Sequence, residues 1–209
     1  MSSRPNVRLA LLALLCAGAA NAAPRTFEVD SAASTAEAHV GKTGLASFAG
    51  HEHLVVAKAF SGQVVFDDAA PGASTVALTI DASSLKVSTE LEPEGDAVQV
   101  EERMRGATVL DIAKFATIGF KSTAVSGKQT GPGKFDLSVT GAFSLHGVSK
   151  AFTIPVTLAL KGNALTASGS MEVKQTDFGI TPTTAAGGMV KVEDTVVLTF
   201  AIVAKVKAP

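Results

Sequence analysis

The stretch from Phe135 to Leu145 alternates without a break. Phe135, Leu137, Val139, Gly141, Phe143 and Leu145 hold the odd positions; Asp136, Ser138, Thr140, Ala142 and Ser144 hold the even ones. A side-chain repeat of two sends the first set to one face and the second to the other, whereas a helical repeat of 3.6 would mix them. The segment is therefore a strand with one apolar and one polar face. A chain made of such strands must bury the apolar faces, either against a second sheet or around a closed interior.

The neighbouring segments repeat the pattern. Phe152, Ile154, Val156, Leu158 and Leu160 share a face, as do Leu165, Ala167, Gly169, Met171 and Val173, and later Val196, Leu198, Phe200 and Ile202. Shorter runs precede them: Val64 and Phe66, then Val76, Leu78 and Ile80, then Ile118 and Phe120. Turn-forming clusters separate the runs at Asp68 to Ser74, Gly127 to Lys134, His146-Gly147 and Gly162-Asn163, the last a tight-hairpin signal. Asp96 to Lys114 breaks the alternation, with Val98, Met104, Val109, Leu110 and Ile112 among clustered charges, and reads as one or two helical turns. The count is about eight strands in an all-β, antiparallel domain. A sandwich and a closed barrel both use this pattern. An outer-membrane barrel would turn its apolar faces to lipid and carry girdles of Trp and Tyr, and the sequence has neither residue.

Residues 1–22 read as an export signal rather than as part of the fold. Arg4 and Arg8 precede an apolar run from Leu9 to Ala20, and Ala20-Asn21-Ala22 offers the small-x-small pattern of a cleavage site. The run is shorter than the roughly 20 residues of a spanning helix. Residues 23–209 then form one domain, destined for the periplasm or for secretion. Cleavage removes Cys16, the only cysteine, and with it disulfide and thiol chemistry. With 18 basic and 19 acidic residues and no basic run, the chain has nothing to draw a nucleic acid.

Five segments together resemble the YceI-like family of exported bacterial proteins, described as polyisoprenoid-binding. They are Phe27 to Asp30 with Ser34, Phe60 to Asp67, Val109-Leu110-Asp111 with Phe115 and Ile118 to Thr123, Gly141 to Lys150, and Asp177 to Ile180. The resemblance implies an eight-stranded antiparallel lipocalin-like barrel with a short helical insertion. It also implies a long apolar tunnel for an isoprenoid chain, and a binding protein rather than an enzyme. The sequence departs from the family pattern at Ala36 and Ala38, where larger apolar residues are usual, and at Thr117, where proline is usual. Small residues in the first strand would widen one end of a tunnel.

Two sets of residues are candidates for function. If the apolar faces point inward around a lumen, Phe66, Leu78, Phe120, Phe143, Phe152, Ile154, Met171 and Phe200 line it and hold an isoprenoid, quinone-like or fatty-acyl ligand. The same residues would equally pack a solid core, and alternation alone does not separate the two. The second set is His51-Glu52-His53. In an extended segment both imidazoles face one side, as a metal-chelating pair requires, with His39 or His146 as a third nitrogen. This supports a lesser alternative, a metal-binding protein or metal-dependent enzyme, because the spacing matches no known zinc motif. No Gly-x-Ser-x-Gly elbow is present. The carboxylates Glu90, Glu92, Glu94, Asp96, Glu101 and Glu102 read as a solvated acidic loop and helix start rather than a glycosidase pair.

Overall fold

A computed structural model describes residues 23–45, 47–91 and 93–207; the export signal read in residues 1–22 lies outside them. The strands are β1 (Arg25–Val29), β2 (Thr35–Thr43), β3 (His53–Ala57), β4 (Phe60–Phe66), β5 (Thr75–Asp81), β6 (Leu85–Val87), β7 (Thr117–Gly131), β8 (Lys134–Leu145), β9 (Val148–Lys161), β10 (Ala164–Lys174), β11 (Thr184–Ala185) and β12 (Val190–Val206). Among the described residues the single α-helix, α1 (Glu94–Arg105), falls between β6 and β7.

These segments make eight staves of a closed antiparallel barrel. β12 pairs with β1 near its end, through Phe27 and Val206, and with β2 further back, through Ala36 and Phe200. β1 and β2 are thus one stave, bent at the 3-10 turn Ser31–Ala33. In the same way β1 pairs with β4 while β2 pairs with β3, and β4 pairs with β5 while β3 pairs with β6. The second stave bends at Lys58-Ala59 and the third at Ala82–Ser84, where the Asp81 carboxylate accepts from the Ser83 amide at 2.8 Å. Such interruptions let a strand turn a corner without abandoning its neighbours. β7, β8, β9, β10 and β12 complete the ring, which the β1–β12 pairing closes.

Alternation sorts the faces as the sequence indicates. Along β8, Phe135, Leu137, Val139, Gly141 and Phe143 are buried and the intervening residues are not. The outward residues of β8 and β10 include Asp136, Ser138, Thr166, Ser168, Ser170 and Glu172, the reverse of a lipid-facing barrel. His146-Gly147 is a two-residue turn with φ of 50° and 75°, and Gly162 opens the next at φ 59°. The turn expected over Gly127 to Lys134 is shorter. β7 runs on to Gly131, with Gly127 at φ 143° still paired with Leu137 and the register shifting only at Ser122–Ala124 and Gln129–Gly131, and only Pro132-Gly133 turn.

The helix is longer than one or two turns. Glu94 and Asp96 begin it and Arg103 and Arg105 end it, the charge order that suits the helix dipole. Ala97, Val100 and Met104 face Leu85, Val87 and Ile202. Glu101, expected to be solvated, is instead largely covered. Its carboxylate accepts from Lys86 at 2.9 Å and from the Val87 amide at 3.2 Å, and pairs with Arg105 at 3.0 Å. Arg105 also donates to the carbonyls of Ser83 and Leu85, locking the helix onto β6.

One end of the barrel is packed solid. Phe27, Phe135 and Leu165 are fully buried there, with Phe66 meeting Phe135 edge-on at 5.0 Å.

Candidate functional site: an apolar lumen

Above that packed base the barrel is hollow. A cavity of about 670 Å³ occupies it, within the range of small-molecule sites. The strand repeat sends Phe135 to the same inner face as Leu78, Phe120, Met171 and Phe200, yet Phe135 is sealed and the other four are only half-buried. Their remaining surface faces the cavity they line. The choice between core and cavity thus resolves by depth along the barrel axis: filled at the base, open above.

Seven of the eight residues proposed from sequence lie on the cavity wall: Phe66, Leu78, Phe120, Phe143, Ile154, Met171 and Phe200. Phe152 does not. Its ring stacks on Phe178 at 6.4 Å with the planes 14° apart, and Phe178 in turn meets Phe143 edge-on at 5.6 Å. The cause lies in the barrel wall. β9 and β10 are paired only from Val156–Gly169 toward the Gly162 turn, so the two strands part above Pro155. The 3-10 turn Gln175–Phe178 fills the parting with a completely buried Phe178. Lys150 holds this plug through Asp177 at 2.8 Å, Asp194 through Thr176 at 2.7 Å, and the Phe178 carbonyl lies 3.0 Å from His146 Nδ1. Sequence reading missed Phe178 as a structural residue. The local signals were the family-like segment Asp177 to Ile180 that contains it and Gly179 behind it, which sits at φ 72° and ends the turn.

Two glycines make room for the lining. A Cβ on Gly141 would stand 2.5 Å from Phe120 Cζ, and one on Gly169 would stand 2.8 Å from Phe200 Cζ. The tip of each ring therefore rests over bare backbone, in space that a larger residue would occupy. Ala36 and Ala38 also line the cavity, on β2 opposite Phe200 and Leu198. Their short side chains contribute directly to its width.

The mouth is polar. Lys42 on β2, His51 and His53 at β3, Asp96, Gln99 and Arg103 on α1, Gln175, and Lys191 on β12 surround it. His51 Nε2 lies 4.0 Å from Asp96 Oδ2. The further imidazoles considered for a metal lie elsewhere: His39 pairs with Glu37 at 3.7 Å, and His146 packs against Phe115 in the β8–β9 turn. Among the described residues no three His, Cys, Asp or Glu side chains converge in a metal-binding group. A catalytic zinc typically takes three protein ligands, so this mouth does not supply the arrangement the metal reading requires. Of the acidic set, Glu92 lies outside the described residues. The groups present can bind: an apolar chamber below, hydrogen-bonding and charged groups at its opening.

Comparison with known proteins gives the same outline. A sequence profile described as the YceI-like domain matches residues 27–204. A UPF0312 protein of Enterobacter sp. (strain 638) is 33% identical over 132 residues, 59% of this chain and 61% of that protein. A UPF0312 protein of Yersinia pestis (strain Pestoides F) is 32% identical over 130 residues, 58% and 60% of the two chains. The chain thus matches about three-fifths of the length of these curated relatives. Among solved structures, Burkholderia cenocepacia BcnA superposes with a TM-score of 0.65 at 26% identity, covering 85% of this chain and 99% of that one. A polyisoprenoid-binding domain from Saccharophagus degradans superposes at 0.62 with 14% identity, covering 87% and 98%. No helix among the described residues is long and apolar enough to cross a membrane.

Proposed function

The chain belongs to the YceI-like family, and from that premise we propose that it is an exported lipid-binding protein, in the periplasm or secreted. It holds an isoprenoid, quinone-like or fatty-acyl chain in its lumen and acts by binding rather than by catalysis. The observation that carries this reading is the half-buried state of Leu78, Phe120, Met171 and Phe200 around a cavity of about 670 Å³. Apolar side chains left partly uncovered inside a fold are a standing cost that an apolar occupant relieves, at about 0.8 kcal/mol for each CH₂ it buries. An isoprenoid or acyl chain fits because it gains affinity per methylene and needs no charged partner at depth. The polar mouth, with Lys42, His51 and Arg103, suits an amphiphile whose head stays at the opening. The description of the Saccharophagus degradans domain as polyisoprenoid-binding favours the same ligand class.

Purification of the mature protein without detergent, followed by organic extraction and mass spectrometry, tests the proposal. One lipid per protein is expected, either co-purified or taken up when the stripped protein is offered isoprenoid, quinone and fatty-acid mixtures. A protein that carries no lipid and takes up none would refute it.

A further inference from the structure

Five large apolar side chains stand exposed among the described residues: Leu45 at 94%, Phe48 at 87%, Val98 at 55%, Met189 at 52% and Leu91 at 45%. All five gather at one end. Leu45 and Phe48 lie in the loop between β2 and β3, Met189 just before β12, Leu91 ahead of α1 and Val98 on it. These segments also carry the mouth residues Lys42, His51, Asp96 and Lys191. The two loop tips adjoin, since a Cβ on Gly44 would collide with the Met189 carbonyl and one on Gly50 would stand 2.8 Å from Val190 Cγ1. The contact between His51 and Asp96 brings α1 to the same loop. At the opposite end, the turns at Pro71–Ala73, Pro132-Gly133 and Gly162-Asn163 expose no large apolar side chain.

One exposed leucine needs no explanation, but five such residues around a single opening do. We propose that this rim is a membrane-docking surface. Leu45, Phe48 and Met189 enter the interfacial layer of a phospholipid bilayer and set the mouth against it. The inference rests on the lipid reading of the lumen and goes beyond it to the ligand's route. An apolar chain leaving through an exposed mouth would pass its methylenes through water one after another; a mouth sealed on a bilayer avoids that step.

The occupant is a bilayer because of what the rim surrounds and how it is charged. It encircles the opening of an apolar chamber, so whatever covers it also receives the chamber's contents. Around it Lys42, Arg103 and Lys191 are interspersed with Glu52, Glu94 and Asp96, which leaves no single-signed field to select a protein partner or an anionic surface. Protruding, separated apolar tips suit shallow insertion, whose strength follows apolar area.

The sequence has no Trp or Tyr, so Phe48→Trp places a lone indole at the rim. On mixing the mature variant with phosphatidylcholine vesicles, its emission is expected to shift to the blue. The double variant L45D/F48D should lose vesicle flotation by more than about tenfold, the scale expected when an inserted Phe is removed. Its uptake of lipid from detergent micelles should stay at the wild-type level. Adding phosphatidylglycerol or raising the salt should change flotation little. An unmoved emission, or a double variant that floats like wild type, overturns the proposal. So does a stable dimer in vesicle-free sedimentation that Phe48→Asp dissociates, because the rim would then have a second copy as its occupant. The micelle arm keeps the two readings apart: a protein that floats but takes up no lipid retains the docking surface and loses the lipid-filled lumen.

Discussion

The Ser34 hydroxyl accepts a hydrogen bond from the Val203 amide at 2.8 Å, joining residues 169 positions apart. It lies where the first stave bends away from β12, and its own proton can be directed to the Asp30 carbonyl at 2.7 Å. Asp30 in turn donates its amide to the Val203 carbonyl at 2.8 Å. The 3-10 turn removes backbone partners from the closing seam, and one side-chain oxygen replaces what Val203 would lose. Ser34→Ala leaves that amide without an acceptor, so urea titration should show a loss of about 1–3 kcal/mol. An unchanged midpoint would mean that water satisfies Val203 equally well.

Glu101 ties α1 to β6, and its titration should be visible in stability. Burial raises the tendency of its carboxyl to hold a proton. The hydrogen bond from Lys86, the Val87 amide and the charge of Arg105 outweigh that and hold the carboxyl below its ordinary range. A carboxyl depressed in the folded state adds stability that is full above its unfolded pKa, about 4.3, and is lost as pH falls through the folded value. Wild type should therefore exceed Glu101→Gln in stability at pH 6, with the difference shrinking from about pH 5 downward. Asp30, Asp81 and Asp194 are also depressed, but they titrate in both proteins and drop out of the comparison. A difference independent of pH would show that the ionised form is not what fastens the helix.

The filled base and the hollow above it should respond oppositely to size. Phe135 is 1% exposed and surrounded on all sides, so Phe135→Ala should cost about 3–5 kcal/mol. Ala38 faces open space, so Ala38→Phe should escape the roughly 1–3 kcal/mol penalty of overpacking while lowering the amount of lipid the protein takes up. Chemical denaturation of both variants, with lipid uptake measured on the second, checks the division. A strong loss of stability in Ala38→Phe would show that the lumen collapses rather than stays open.

Much of this architecture is legible in the sequence, and the limits are physical. Alternation from Phe135 to Leu145 assigns a face, and every inner residue of β8 points where the pattern sends it. It carries no information on depth, so Phe135 in the sealed base and Phe120 on the cavity wall look alike. It is equally silent on neighbours supplied from afar. Phe152 has the right parity for the lumen, but Phe178, reached only after another full strand, covers it. The bends at Ser31–Ala33 and Ala82–Ser84 stayed hidden because each is only three residues of small side chains. In the helical segment Val98 stood out from the sequence as an apolar residue among charges, whereas Ala97, Val100 and Met104 supply the buried face and Val98 points outward. Alanine is too small to announce its side of a helix.

Phe178 offers the sharpest test of how the barrel wall is sealed. The β9–β10 ladder ends at the Val156–Gly169 pair, and Pro155, lacking an amide proton, lies next to that end. Beyond it the wall depends on the stack of Phe152, Phe178 and Phe143 and on the ion pair of Lys150 with Asp177. Phe178→Ala should cost about 3–5 kcal/mol, and Phe178→Leu less, since it keeps most of the volume. The more specific readout is hydrogen exchange. The β8–β9 ladder from Leu145–Val148 to Lys134–Ala159 persists in either variant, so a local defect should speed exchange in the outer part of β10, from Ser170 to Lys174, before the rest of the barrel. Uniform acceleration across all strands would mean that Phe178 supports global stability without acting as a local plug. In the leucine variant, which should stay folded, the two outcomes are distinguishable residue by residue.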